Sequence, residues 1–112
     1  AAGAINIALK ALLDAGNEVV VVAPYFPEYR FYVDNHGGAL VVVPSGPRFD
    51  LDLDALERVL GPNTRAILIN SPNNPTGRVY PRATVEALGR LVDRKAPDAT
   101  LIVDEPYRRL LY

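Results

Sequence analysis

RAILINSPNNPTG, residues 65–77, joins a short apolar run to a loop rich in asparagine and proline. The run is apolar without alternation, which is typical of a strand whose two faces are both covered by helices in a parallel sheet. The loop can serve as a turn alone, because asparagine tolerates unusual backbone angles, proline fixes φ and glycine allows positive φ. The other segments of the chain decide between a turn and a binding site.

Three further runs of the same kind, rich in β-branched residues, occur along the chain. The four are EVVVVAP at 18–24, ALVVVP at 39–44, RAILIN at 65–70 and TLIVDE at 100–105. Helical patterns alternate with them at 4–15, 26–36, 52–60 and 81–95. The order αβαβαβαβ predicts a three-layer α/β fold, in which a mainly parallel sheet has right-handed crossovers and helices on both faces.

The composition is that of an ordinary globular chain. Its 112 residues allow one domain at most, with 49% apolar residues, 22% charged residues and a formal net charge of −1. The chain has no excess of basic residues that would indicate binding to nucleic acid. Its apolar runs of about five residues are far shorter than the roughly twenty residues that span a bilayer. We therefore expect a cytoplasmic protein. The absence of cysteine and the single histidine exclude a disulfide framework, a thiolate site and a histidine metal cluster.

The ends of the sequence suggest a piece of a longer protein. The chain begins with Ala1, contains no methionine and ends in the apolar stretch RRLLY without a cap or a polar tail. We therefore expect the chain to be a fragment.

Candidate functional residues follow the ends of the apolar runs. APYFPEY follows the first run, NSPNNPTG the third and DEPY the fourth. In open α/β sheets ligands bind outside the carboxyl ends of the strands, so these segments are expected to meet at one edge of the sheet.

Asp104 closes the fourth run and has two interpretations. Its carboxylate can cap a following helix that has Pro106 in its first turn. It can also pair with a cationic nitrogen of a ligand, because a buried carboxylate persists only when it is paired or hydrogen-bonded. Tyr107, three residues on, either shares that face or packs near the sheet edge.

The two other loops offer further side chains. Pro75 biases Asn74 toward an extended backbone, which lets its amide reach into a cleft, whereas Asn73 is interpreted as a turn former. Phe26 is either a core residue or a flat ring stacked on a flat ligand. Tyr25 and Tyr29 are candidates for neighbouring roles.

The start of the chain, AAGA, opens a helix directly. Small residues and free backbone N–H groups at a helix N-terminus can bind phosphate, although small residues also open many helices that bind nothing. His36 is interpreted as a helix-terminal residue, and Lys10 and Lys95 as surface residues.

Taken together, these stretches resemble the class I/II, fold-type I aminotransferases that use pyridoxal 5′-phosphate. SPNNPTG followed about thirty residues later by DEPY is a specific combination, and the resemblance extends from AAGAINIALKALLDAGNEVVV through PYFPEY to VDEPYRRLLY. It implies that residues 1–112 are the central part of the cofactor-binding large domain. It also implies a homodimeric parent protein that acts on an amino acid and a 2-oxo acid.

The resemblance gives three side chains a role beside the cofactor ring. A buried carboxylate keeps the ring nitrogen protonated, which improves electron withdrawal from the substrate Cα, and this position matches Asp104. Asn74 and Tyr107 match the donors that stabilise the anionic 3′-oxygen of the ring.

The remaining cofactor contacts implied by the resemblance lie earlier in the chain. Phe26 matches the aromatic residue that stacks on the ring. The backbone amides of Ala1 and Ala2 match the phosphate site, where Gly3 permits close approach.

The catalytic lysine of the family has no counterpart in this chain. It lies C-terminal to the DEPY motif in the family, and neither Lys10 nor Lys95 matches it. The arginine that binds the substrate carboxylate belongs to a domain that these residues do not include. We therefore predict that the chain alone cannot transaminate.

Two other functions use the same motifs. The whole protein can be another fold-type I enzyme, of the β-lyase or cyclopropane-forming synthase type, or a non-catalytic regulatory module that binds the cofactor. An unrelated nucleotide-binding domain is disfavoured, because no GxGxxG or GxxxxGK[ST] follows any of the runs.

Overall fold

The alternation of helices and strands is confirmed in the computed structural model, which describes residues 2–73 and 76–105. The helices are α1 (Ala2–Leu12), α2 (Glu28–Asn35), α3 (Leu53–Val59) and α4 (Arg82–Lys95). The strands are β1 (Glu18–Ala23), β2 (Ala39–Pro44), β3 (Thr64–Asn70) and β4 (Thr100–Asp104), and a short 3₁₀ turn covers Pro47–Phe49. The described residues thus have the predicted α/β order.

The sheet has the order β2-β1-β3-β4, and every neighbouring pair is parallel. After β1 the chain passes outward to β2, and after β2 it returns past β1 to β3 and then β4. The connections that leave β1 and β3 therefore diverge to opposite faces of the sheet. Such a switch point creates a crevice at the carboxyl edge of the strands.

The central strands bury both of their faces, which explains their uninterrupted apolar sequences. In β1, Val20 and Val22 pack with α3 and α4, whereas Val19 and Val21 pack with α1 and α2. Successive side chains of a strand point to opposite faces, so a strand with two covered faces needs apolar residues throughout.

The outer strands depart from this expectation, because they lie at the edges of the described sheet. Val42 in β2 and Val103 in β4 are 42% and 37% exposed.

Within the described ranges, no helix is both long and apolar enough to cross a membrane. No cluster of three or more His, Cys, Asp or Glu side chains in those ranges is arranged to hold a metal ion.

Candidate active site

The candidate site lies at the carboxyl edge of the sheet. Phe26 follows β1, residues 71–77 follow β3, and Asp104 is the last residue of β4. The helix α1 precedes β1 and returns to the amino edge, so its first turn lies at the same edge as these loops. Topology alone therefore gathers the segments that the sequence singled out.

The carboxylate of Asp104 is held by a tyrosine of α2, 75 residues earlier in the chain. The Tyr29 hydroxyl donates a hydrogen bond of 2.6 Å to Oδ2 of Asp104. Tyr29 is 1% exposed. Burial raises the pKa of the Tyr29 phenol well above its usual value, and the hydrogen bond to Asp104 and the charge of Asp104 raise it further. The phenol therefore remains a proton donor at any working pH.

The backbone of Asp104 is fixed as well. Asn70 of β3 lies in register with Asp104, and its side-chain Nδ2 donates to the Asp104 carbonyl oxygen at 3.0 Å. The backbone N–H of Ser71 donates to the same oxygen at 3.1 Å. The end of β4 is therefore anchored to the end of β3, and the loop at 71–77 starts from this anchor.

Phe26 is connected to Asp104 through Tyr29. The rings of Phe26 and Tyr29 meet edge to face, with centroids 5.7 Å apart and an interplanar angle of 80°. The backbone N–H of Tyr29 also donates to the Phe26 carbonyl at 3.0 Å. Phe26 is only partly buried and packs against the core between the sheet and α1 and α2. Of the predicted site residues, Phe26 and Asp104 are thus brought to one neighbourhood.

A cleft of about 270 Å³ separates the first half of α1 from the end of β4. It has mainly apolar walls and is lined by Ala4, Ile5, Ala8, Ile102, Val103, Asp104 and Glu105. The cleft therefore extends from Asp104 to the N-terminal half of α1. Ala2 is the first residue of α1, whereas Ala1 lies outside the described residues.

The described part of the SPNNPTG loop is organised by Asn73. Oδ1 of this buried side chain accepts hydrogen bonds from the Thr76 backbone N–H at 3.3 Å and from its hydroxyl at 3.0 Å. The Asn73 carbonyl accepts from the Gly77 N–H at 2.7 Å. Gly77 has a φ of 75°, a backbone conformation that favours glycine. Asn73 thus has the contacts expected of a turn former, while Asn74 and Tyr107 lie outside the described residues.

Sequence reasoning gave Tyr29 only a neighbouring role and did not single out Asn70 or the ion pair between Arg78 and Asp50. A signal for Tyr29 exists, because it lies three residues after Phe26 in the stretch expected to be helical at 26–36, and residues at that spacing share a helix face. Nothing in the sequence indicates the ion pair, which joins the loop after β3 to the loop before α3.

Both lysines lie far from this edge. Lys10 is in the last turn of α1 and Lys95 ends α4, and both side chains are exposed. These helices run antiparallel to the strands, so their last turns lie at the amino edge of the sheet. Neither lysine is positioned to reach a ligand beside Asp104.

Comparisons with known proteins identify relatives of this chain. The chain is 44% identical over 105 residues to the aspartate/prephenate aminotransferase of Thermus thermophilus, a match that covers 92% of this chain and 27% of that protein. It is 38% identical over 112 residues to a probable N-succinyldiaminopimelate aminotransferase of Mycobacterium tuberculosis, covering 97% of this chain and 28% of that one.

Solved structures give the same result. An aminotransferase from Eubacterium rectale superimposes with a TM-score of 0.94 at 42% identity, over 99% of this chain and 29% of that chain. A mutant of the Thermus thermophilus aspartate aminotransferase superimposes with a TM-score of 0.92 at 42% identity, over 99% of this chain and 31% of that chain.

The chain thus spans between a quarter and a third of the length of these relatives. The family described as aminotransferase class I and II matches residues 1–112, the whole of the sequence. The chain therefore belongs to the class I and II aminotransferase family.

Proposed function

We propose that the whole protein is a pyridoxal-phosphate-dependent aminotransferase, which moves an amino group between an amino acid and a 2-oxo acid. In this proposal residues 1–112 form the central part of the cofactor-binding large domain. The names of the relatives support the reaction, since both curated relatives described above are called aminotransferases. The composition leads us to propose that the whole protein is cytoplasmic, and the resemblance of its motifs leads us to propose that it is a homodimer.

The observation that carries the proposal is the position of Asp104. Its carboxylate accepts a hydrogen bond from a buried phenol at the carboxyl edge of the sheet. Asp104 is also one of the residues that line the cleft beside the first half of α1. A carboxylate in such surroundings suits a protonated ring nitrogen, because the charge of each partner stabilises the charge of the other. The residues that the structure describes therefore fit pyridoxal phosphate.

Bound pyridoxal phosphate supplies an electron-withdrawing ring that eases loss of a proton from the substrate Cα. In the proposed site Asp104 would hold the proton on the ring nitrogen and Phe26 would stack on the ring. Asn74 and Tyr107 would donate hydrogen bonds to the 3′-oxygen. The backbone N–H groups of Ala1 and Ala2 would receive the phosphate, because the N-terminal end of a helix dipole is positive.

The same residues also fit a β-lyase or cyclopropane-forming synthase of fold type I, and a regulatory module that binds the cofactor without catalysis. A lysine beside the cofactor distinguishes the enzymes from the module. Because Lys10 and Lys95 lie at the opposite edge of the sheet, that lysine must come from outside residues 1–112. The isolated chain is therefore proposed to be inactive.

The test uses the full-length protein with Asp104→Asn, which keeps the shape of the side chain and removes its charge. We expect transamination to fall by about two orders of magnitude or more, because the protonated ring nitrogen loses its partner charge. Asp98→Asn is the matched control, since Asp98 is an exposed carboxylate just before β4. Equal activity of the two variants would refute the proposal, as would turnover by the isolated chain that is sensitive to Asp104→Ala.

A further inference from the structure

We infer that Tyr29 is a positioning residue for Asp104, and that its hydroxyl fixes the plane of the carboxylate so that one oxygen faces the cofactor ring nitrogen. The inference rests on the proposed function, because it concerns the same cofactor site. It adds a residue from α2 to a site whose other members were identified at strand ends, in loops and at the start of α1.

The hydrogen bonds of Asp104 are divided unequally between its oxygens. Oδ2 accepts the 2.6 Å bond from Tyr29, and the backbone carbonyl accepts from Asn70 and Ser71. No residue in the described ranges donates to Oδ1. With the backbone and one carboxylate oxygen both held, rotation of the carboxylate is restricted, and Oδ1 is left to accept a proton-bearing partner.

The core itself does not need the Tyr29 hydroxyl. The ring of Tyr29 is buried among apolar side chains between the sheet and α1 and α2, and it contacts the rings of Phe26 and Tyr32. Phenylalanine would provide the same apolar ring for these contacts. The hydroxyl is a polar group that can be buried at low cost only because Asp104 accepts its hydrogen bond. Its one described partner is therefore the carboxylate of the proposed site.

Without this bond the carboxylate is free to turn, and water has to satisfy Oδ2. A charge-assisted hydrogen bond is geometrically demanding, so a turning carboxylate pairs less well with the ring nitrogen. We expect Tyr29→Phe to weaken pyridoxal phosphate binding about tenfold. We also expect the ring nitrogen to carry its proton for a smaller fraction of the time.

The experiment compares Tyr29→Phe with Tyr32→Phe in the full-length protein. Tyr32 lies one turn further along α2, and its hydroxyl donates to the surface residue Glu28 at 3.5 Å. Equilibrium dialysis gives the dissociation constant of pyridoxal phosphate. The ¹⁵N chemical shift of cofactor labelled at the ring nitrogen reports protonation of that atom at neutral pH. Tyr29→Phe should move this resonance toward the unprotonated value, whereas Tyr32→Phe should match the wild type in both measurements.

Each contrary result has a defined meaning. If both variants behave alike, or if Tyr29→Phe weakens binding without moving the ¹⁵N resonance, Tyr29 only fills the core and the inference is wrong. A shift of the ¹⁵N resonance toward the protonated value in Tyr29→Phe would equally overturn it. Asp104→Asn is measured in parallel: if it too leaves binding and resonance unchanged, the proposed function itself fails. An effect of Asp104→Asn without one of Tyr29→Phe overturns the inference alone.

Discussion

Gly3 lies in the first turn of α1, where a methyl group would meet no described atom within 4 Å. The chain's own packing therefore does not require glycine, and alanine favours a helix by about 1 kcal/mol. A phosphate on the backbone N–H groups at the start of α1 would need this space. We expect Gly3→Ala to raise the thermal stability of the cofactor-free full-length protein while weakening pyridoxal phosphate binding, measured by calorimetry and dialysis.

The control for this prediction is Gly89→Ala. Gly89 lies within α4, and a methyl group there also meets open space. This substitution should raise stability to a similar degree and leave cofactor binding unchanged. If the two alanine variants bind the cofactor equally well, Gly3 has no part in a phosphate site.

At the scale of single residues, the sequence predicts what depends on local order and misses what depends on distant contacts. The sequence predicts a functional role for Asp104, because Asp104 ends an apolar run and ligands bind at strand ends. The Tyr29 hydroxyl meets that carboxylate across 75 residues of sequence. Only the sheet order, which places β4 beyond β3 and α2 on the face of α1, brings the two together.

The loop after β3 is an element whose stability can be tested locally. The Thr76 hydroxyl donates to Oδ1 of Asn73 at 3.0 Å and accepts from the Arg78 backbone N–H at 3.1 Å. We expect Thr76→Val to speed hydrogen exchange at the Arg78 amide about fivefold, because a net hydrogen bond contributes about 1 kcal/mol. Hydrogen-exchange mass spectrometry of the full-length protein checks this. Thr76→Ser keeps the hydroxyl and should exchange like the wild type, so equal rates in both variants would contradict the prediction.

The helix and strand elements follow from the sequence pattern, with shifts at their ends that have local causes. The second helix was expected at 26–36 but is Glu28–Asn35. Phe26 precedes Pro27, and a residue before proline is biased away from helical angles, so the helix begins later. The 3₁₀ turn was not predicted: positive φ falls on Arg48 and Phe49, whereas Gly46 has a φ of −82°. Residue type alone would predict the positive φ at Gly46 rather than at Arg48 or Phe49.

At the scale of the whole molecule, the described sheet ends in two strands with no further partner in the described ranges, β2 and β4. The sequence could not show which strands lie outermost, since all four runs are apolar. Edge strands expose unpaired backbone N–H and C=O groups that can pair with another chain. Two clefts also border β4, one against α1 and one against the start of α4, and both are lined by Val103 and Glu105.

We therefore expect the isolated chain of 112 residues to associate in a concentration-dependent way, through pairing at these edges. Charged side chains on an edge strand oppose such pairing, so Val42→Lys together with Val103→Lys should shift the chain toward the monomer. Light scattering coupled to gel filtration over a range of concentrations measures the mass. Ile7→Lys is the control, because Ile7 is 72% exposed but belongs to the helix α1 rather than to an edge strand. If Ile7→Lys restores the monomer as well as the edge variant does, association depends on exposed apolar surface in general, because strand pairing would respond only to charges on β2 and β4.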